Sequence, residues 1–415
     1  MTILRSCIFG ALLMTPAAAM AQTIGPVDEN AVTDSADSGG AEPDSAAPAK
    51  RKAFEGWTFK PRGRFLYDVA NIDAPDGIVI AGIDNQSETR RARLGFSGKL
   101  PGGMGYKAEA DFVDHDFVFT DIFLDYESGG LKITAGQHNN FQSLEEISSS
   151  NDTSFIERSA FTDAFGFERK LGLSFQYKKG AALWQGGVFT DNVHDLDHDG
   201  TDGISIDGRF VYAPKIAGRQ WHFGTSAHWR DLGEADTSLR YRQRPLVHAT
   251  DVRFINTGRL NGAKSERFFG LEAAVIDGRF HAAAETSWLQ AGLAGRSDPG
   301  FFGGSIEAGY FLTKHSRKYS GGVFKAPEIK DAVGSGGIGA VQLNLRYDYL
   351  DLNSKGITGG TQNGYMASLI WTPHPYIRFM VNYAIMEYDN AAIATVTGDR
   401  NYSVNVLGAR TQLSF

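Results

Sequence analysis

From Trp57 to the last residue, Phe415, apolar and polar residues alternate with a period of two, and no stretch of about 20 apolar residues follows residue 21. Such a chain cannot cross a bilayer with helices. Any crossing has to be made by strands, whose backbone N–H and C=O groups are all paired only when the sheet closes on itself. The final segment, Tyr402 to Phe415, shows the pattern plainly, with Leu407, Ala409, Thr411, Leu413 and Phe415 on one face. A strand with no cap after it is expected to pair with something.

The other end reads differently. Met1 to Ala21 carries one positive charge at Arg5, an apolar stretch from Ile8 to Met14, and Ala19-Met20-Ala21 before Gln22. This is the pattern of a secretory leader removed after export, so residues 1–21 are expected to be a signal peptide. Cys7, the only cysteine, lies inside it, leaving the exported chain without a thiol for disulfides, metal binding or nucleophilic catalysis. Residues 22–53 are rich in Ala, Asp, Ser, Pro and Gly and nearly devoid of bulky apolar side chains, which predicts a disordered periplasmic lead-in. The formal charge is −7, more negative still once Arg5 is gone, and an acidic chain lacks the basic footprint of a nucleic-acid binder. Neither a cofactor nor a metal is expected.

Residues 54–415 form the expected barrel domain. Alternation predicts strands near Trp57–Ala70, Thr89–Leu100, Met104–Asp114, Phe117–Glu127, Leu131–Gln137 and Lys170–Lys178, then Ala182–Phe189, Ile204–Tyr212, Gln220–Arg230, Arg267–Ile276, Arg279–Leu289 and Gly303–Thr313. The last four lie near Gly339–Asp351, Tyr365–Thr372, Tyr376–Tyr388 and Tyr402–Phe415. A seventeenth candidate, Ala249–Asn256, goes into a long loop, because single-chain bacterial barrels have an even strand number and both ends in the periplasm. The fold class is therefore all-β, a sixteen-stranded antiparallel transmembrane barrel. Short turns such as Pro101-Gly102-Gly103 and Asp277-Gly278 then fall on the inner side, and long links such as Asn71–Glu88 and His138–Arg169 fall outside. His115-Asp116, a short outer link, and Lys314–Ile338, a long inner one, break this rule without evident reason. Trp57, Tyr67, Tyr177, Trp184, Tyr212, Trp221, Trp229, Trp288, Trp371, Tyr376 and Tyr388 at strand ends read as interfacial girdles.

A leader, a terminal amphipathic strand and a terminal Phe together resemble outer-membrane barrel proteins, which places the chain in a Gram-negative outer membrane among lipid and lipopolysaccharide. Several motifs narrow the resemblance. Leu131-Lys132-Ile133-Thr134-Ala135-Gly136-Gln137-His138, Ser143-Leu144-Glu145-Glu146 and Phe155-Ile156-Glu157-Arg158-Ser159 stand in order, followed by Leu345-Arg346-Tyr347-Asp348-Tyr349, Thr358-Gly359-Gly360-Thr361-Gln362-Asn363 and Trp371-Thr372-Pro373. In this combination the chain resembles the phosphate-selective porin O and P family from Trp57 to Phe415. The resemblance implies a homotrimer of barrels in which a loop, here His138 to Arg169, folds inward to narrow the channel. It also implies passive diffusion of small anions such as phosphate or polyphosphate, and no enzymatic activity.

The lumen face has to be read residue by residue. Lys60, Arg62 and Arg64 on the first strand and Arg91 and Arg93 on the second make a basic wall, joined by Lys107 on the third and by Arg158, Arg169 and Lys170 from the inward segment. A dehydrating oxyanion needs several such donors at one constriction, and guanidinium supplies them in a rigid fork. Glu109, Asp111, Asp121, Asp125, Glu145, Glu146 and Glu157 share the face, so these cations could equally be structural pairs in a general diffusion porin. Arg209, Arg230, Arg279, Arg346, Arg378 and Arg410 are also assigned to the lumen. Two remoter alternatives are a barrel hydrolase built on Ser226 with His222 or His228, and a sealed structural or receptor barrel. The acidic run Asp195 to Gly203 lacks the terminal Glu and flanking helices of a calcium loop and reads as a solvated outer turn.

Overall fold

The computed structural model describes residues 56–415 except 79, 114–116, 196–202 and 234–236. The expected leader, the lead-in, the His115-Asp116 link and most of the acidic run lie outside the described residues. Sixteen long strands form one antiparallel sheet. The first eight are β1 (Lys60–Asp73), β2 (Asp84–Lys99), β3 (Met104–Asp111), β4 (Val118–Ser128), β5 (Leu131–Asn139), β6 (Arg169–Lys179), β7 (Ala182–Phe189) and β8 (Ile204–Tyr212). The others are β9 (Arg219–Asp231), β10 (Ala263–Asp277), β11 (Phe280–Leu293), β12 (Gly300–Phe311), β13 (Ala340–Ser354), β14 (Ile357–His374), β15 (Ile377–Asp389) and β16 (Tyr402–Ser414). Each pairs with its neighbour in sequence, and β1 pairs with β16 from Arg64↔Ser414 to Asp73↔Asn405, which closes the barrel. Ala249–Asn256 stays in the β9–β10 loop, where Ile255–Asn256 makes only a two-residue pairing with Arg242–Gln243.

The terminal residue extends this seam. Phe415 N donates to Gly63 O and Gly63 N donates to Phe415 O, both at 3.0 Å. The Phe415 ring lies across Gly63, where a Cβ would sit 2.2 Å from it. Glycine leaves the space and the aromatic covers the backbone that glycine exposes, a pairing that pins register at an otherwise weak point.

Exposed apolar side chains occupy the outer face, among them Leu94, Phe96, Leu173, Ile206, Ile306, Leu345 and Val381. Two residues depart from the expected faces. Tyr388 points into the barrel, 2% exposed, and stacks on Phe254 at 5.0 Å, so it belongs to no girdle. Arg279 is exposed in the turn before β11 and lies over the outward Tyr310 ring instead of in the lumen.

The core lies inside the barrel and is built from loops. The segment between β5 and β6 enters the lumen with two short helices, α1 (Leu144–Ile147) and α2 (Ala160–Ala164). Phe155, Phe161 and Phe165 pack there against Phe254, Ile255 and Val252 of the β9–β10 loop and against Leu350, Leu352 and Met386 of the wall. At Gly303 a Cβ would meet Phe161 Cβ at 2.5 Å, so the wall needs glycine where α2 touches it.

The long inner link between β12 and β13 has a physical explanation. Lys318–Ser320 and Val323–Lys325 form a hairpin around Gly321-Gly322, both with positive φ as a tight two-residue turn requires. The hairpin enters the lumen from the periplasmic end. Gly322 O accepts a 3.0 Å bond from Arg209, the Tyr319 hydroxyl bonds His222 Nδ1 at 2.6 Å, and Phe324 packs in one cluster with Leu144 of α1. The lumen is thus filled from both sides.

Replacing Gly63 by Val should force the Phe415 ring off β1 and destabilise closure by about 1–3 kcal/mol. The expected outcome is a lower temperature for the shift from folded to unfolded mobility on a denaturing gel, with Gly63→Ala showing a smaller drop.

Candidate functional site: a loop-narrowed lumen

The inward segment is held by wall charges acting on its backbone. Glu285 of β11 accepts from Ser143 Oγ at 2.7 Å, Leu144 N at 2.8 Å and Glu145 N at 2.9 Å, so one carboxylate caps the start of α1. Asp348 does the same for α2 through Ala160 N at 2.9 Å. Arg158 donates to the carbonyls of Glu145, Glu146 and Ser148 at 2.9–3.0 Å, folding the segment back on itself. Arg410 grips Asp68 with two 2.6 Å bonds and also donates to Ile156 O, while Arg346 bridges Glu145 and Glu307. Charge-assisted bonds of this kind are the strong ones, and buried carbonyls and N–H groups need them.

The space left on the outer side is a vestibule of about 300 Å³ between β2, the inward segment and the β9–β10 loop. Its guanidiniums are Arg90, Arg91, Arg93, Arg158, Arg169 and Arg244, facing Glu146, Glu157, Asp163 and Glu168. Arg90 escapes strict alternation, which assigns it to lipid. The ladder skips from Leu66↔Arg91 to Tyr67↔Thr89, so Arg90 is the extra residue of a β-bulge. The bulge turns it inward, where it forks Glu157 at 2.9 and 3.2 Å. A second bulge on β4 turns both Thr120 and Asp121 inward. Burial pushes the Glu157 carboxyl up, but Arg90 and Arg410 outweigh it and hold Glu157 well below the usual carboxylate range.

The residues expected at the site divide into three groups. Arg91, Arg93, Arg158 and Arg169 meet at the vestibule. Arg64 lies half-buried below it, donating to Ser150 Oγ at 2.7 Å, and Lys107 stands on the neighbouring wall paired with Asp121. Lys60 and Arg62 are exposed at the periplasmic end of β1, away from the vestibule, and Lys170 opens instead on a separate cavity of about 330 Å³ with Arg230, Asp191 and Glu266. Most are engaged with acids: Arg93 with Asp111 at 2.7 Å, Arg169 with Asp121 at 2.7 Å, Arg158 with Glu146 at 3.5 Å and Lys170 with Asp191 at 3.7 Å. Arg91 differs. Among the described residues it makes no hydrogen bond or ion pair, although it sits in the field of Arg90, Arg93 and Arg158.

The hydrolase arrangement is not formed. Ser226 Oγ is buried without a hydrogen-bond partner, His222 bonds Tyr319 and Glu272, and His228 bonds Asp207 at 2.7 Å.

A closed sixteen-stranded barrel with an apolar exterior and a charged lumen narrowed by an inward loop is the architecture of outer-membrane porins. The chain belongs to the phosphate-selective porin O and P family, whose sequence profile matches residues 59–415. It is 47% identical over 367 residues to an uncharacterized protein of Caulobacter vibrioides, covering 86% of this chain and 74% of that one. In fold it is similar to OmpT, an outer-membrane protein of Vibrio cholerae (TM-score 0.58, 9% identity, 88% of this chain and 100% of that one). The outer-membrane channel DcaP of Acinetobacter baumannii is also similar (TM-score 0.52, 16% identity, 89% and 100%), as is OprB of Pseudomonas putida (0.53, 11%, 86% and 94%).

Glu285→Ala should leave three buried donors without their acceptor and weaken the inward position of α1 by about 3 kcal/mol. Single-channel recordings are expected to show larger conductance and noisier open current, with the barrel still folded.

Proposed function

We propose that this porin passes small anions by passive diffusion, and that the vestibule around Arg91 draws them in. One observation carries the reading: among the described residues Arg91 is a guanidinium without an intramolecular partner, set among other arginines in the vestibule cavity inside the barrel. Paired arginines contribute little net field, whereas Arg91 has its donors open to a solute. Arg64, without a carboxylate in ion-pair range among the described residues, is the next step down the same wall. Phosphate or polyphosphate is the proposed solute because the family carries that selectivity in its description. The second reading is a general diffusion porin, favoured by the number of arginines and lysines already neutralised by acids.

The exported protein is proposed to begin after a cleaved leader of residues 1–21, with residues 22–53 as a periplasmic lead-in, and to sit among outer-membrane lipid and lipopolysaccharide. A homotrimer is proposed as its assembly, and OmpT, which shares the fold, exists in a trimer form.

Arg91→Gln is expected to lower the anion-to-cation permeability ratio, read from the reversal potential in a potassium chloride gradient, severalfold. Arg93→Gln should leave Asp111 without its ion-pair partner, and Lys107→Gln should leave Asp121 with Arg169 alone, so both should lower it as well; an Arg91→Gln protein with unchanged selectivity returns the general-porin reading.

The ratio should also depend on pH. Burial raises the carboxyl of Glu146, with Arg158 offsetting it only in part. A raised carboxyl becomes neutral at a pH above the ordinary value for glutamate. Anion preference is therefore expected to rise as pH is lowered from neutral toward 5, and Glu146→Gln should flatten part of that rise.

A further inference from the structure

Below the inward segment lies a second arrangement of arginines, and it depends on the long inner link. Arg317 comes from that link, just before its hairpin, and Arg378 comes from the periplasmic end of β15. Both are buried, at 6% and 8% exposure. Arg317 donates to Ser154 Oγ at 2.8 Å and to Asp152 O, and Arg378 donates to Asn151 O at 3.0 Å and to Thr153 O. All four acceptors are uncharged.

The other deeply buried wall arginines are treated differently. Arg209 has Glu272, Arg346 has Glu145 and Glu307, and Arg410 has Asp68 and Glu157. Among the described residues, no carboxylate oxygen comes within 4.0 Å of the Arg317 or Arg378 guanidinium. Burial works against the Arg317 charge, and the acids in its surroundings, Glu307, Asp152 and Glu145, do not offset it. Two guanidiniums of one sign buried near each other are unfavourable unless an anion joins them.

There is room for one. A cavity of about 190 Å³ is lined by both arginines together with Gln342, Gln412, Tyr376 and the half-buried Asp152. Pro375 of the β14–β15 turn and Pro327 of the inner link bound it on the periplasmic side. The Arg317 guanidinium lies over the Phe324 ring at 5.0 Å, but its Nε is buried with no hydrogen-bond partner, so the site holds an unused donor. Each arginine keeps N–H groups beyond those bonded to the inward segment, and the fork geometry suits a tetrahedral or planar oxyanion.

We propose that Arg317 and Arg378 form a second anion-binding site at the periplasmic exit of the pore, taking a small oxyanion of the phosphate or sulfate type. The site stands on its own geometry and does not require the Arg91 vestibule to select anions. With both in place, a solute leaving the vestibule meets a second binding station beyond the inward segment, and conduction through two modest sites allows capture without trapping.

The test uses the full-length protein in a planar bilayer, with inorganic phosphate added to one side at a time and the half-blocking concentration for chloride current measured. Wild type is expected to be blocked from both sides. Arg317→Gln and Arg378→Gln should raise the half-blocking concentration from the periplasmic side about tenfold while leaving the outer side within about twofold. Arg91→Gln should do the reverse, so failure of either site shows separately. Because both arginines also brace the inward segment, Gln412→Leu serves as the second variant: it alters the cavity lining and touches no loop carbonyl. Periplasmic block weakened severalfold by Gln412→Leu and restored toward wild type in Arg378→Lys supports the site. Absence of periplasmic block in wild type, or periplasmic block unchanged in both Arg→Gln variants or in Gln412→Leu, overturns it.

Discussion

The need to pair every backbone N–H and C=O away from lipid water governs the whole molecule. An open sheet would leave one edge of β1 and one of β16 unsatisfied in hydrocarbon, so the sheet has to close, and the register of that last pairing sets the tilt and width of everything else. The Gly63–Phe415 contact shows how closely the seam is specified, since the ring occupies the position a side chain would need. Once closure fixes a barrel of sixteen strands, its lumen is too wide for wall side chains to fill, and segments of chain have to fill it. These bring buried backbone groups with them, and the wall answers with carboxylates at helix starts and guanidiniums at loop carbonyls.

This division of labour explains why a lumen rich in arginine is not, by that fact, a lumen rich in free positive charge. Arg346, Arg410 and Arg158 hold the inward segment, Arg93 holds an acid on the neighbouring strand and Arg169 one two strands away. The cations available to a passing solute are those that neither task uses, and these are few. Selectivity in such a channel is carried by exceptions to a structural network.

Strand number, strand order and the placement of Ala249–Asn256 in a loop were legible because half-buried strands must alternate and turns must be polar. Faces were legible wherever alternation is unbroken, as for Arg62, Arg64, Arg91 and Arg93. The pattern misled where a side chain belongs to another packing unit: Tyr388 alternates onto the apolar set yet completes the core made by Phe254, and Arg279 sits in a turn that has no face. Arg90 was hidden by a bulge, which changes the side of a residue without changing its neighbours in sequence; two consecutive arginines in a strand were the available signal. The link between β12 and β13 offered only its Gly321-Gly322 pair, and its role depends on His222, Arg209 and Leu144, residues about 95 to 180 positions away. Contacts of that kind have no local signature.

The meeting of Leu144 and Phe324 inside the lumen has a consequence for assembly. One comes from an outer loop in the first half of the chain and the other from an inner link in the second half, and the carboxylate that caps α1, Glu285, also lies in the second half. The narrow part of the pore therefore cannot be complete until the later strands have joined the sheet.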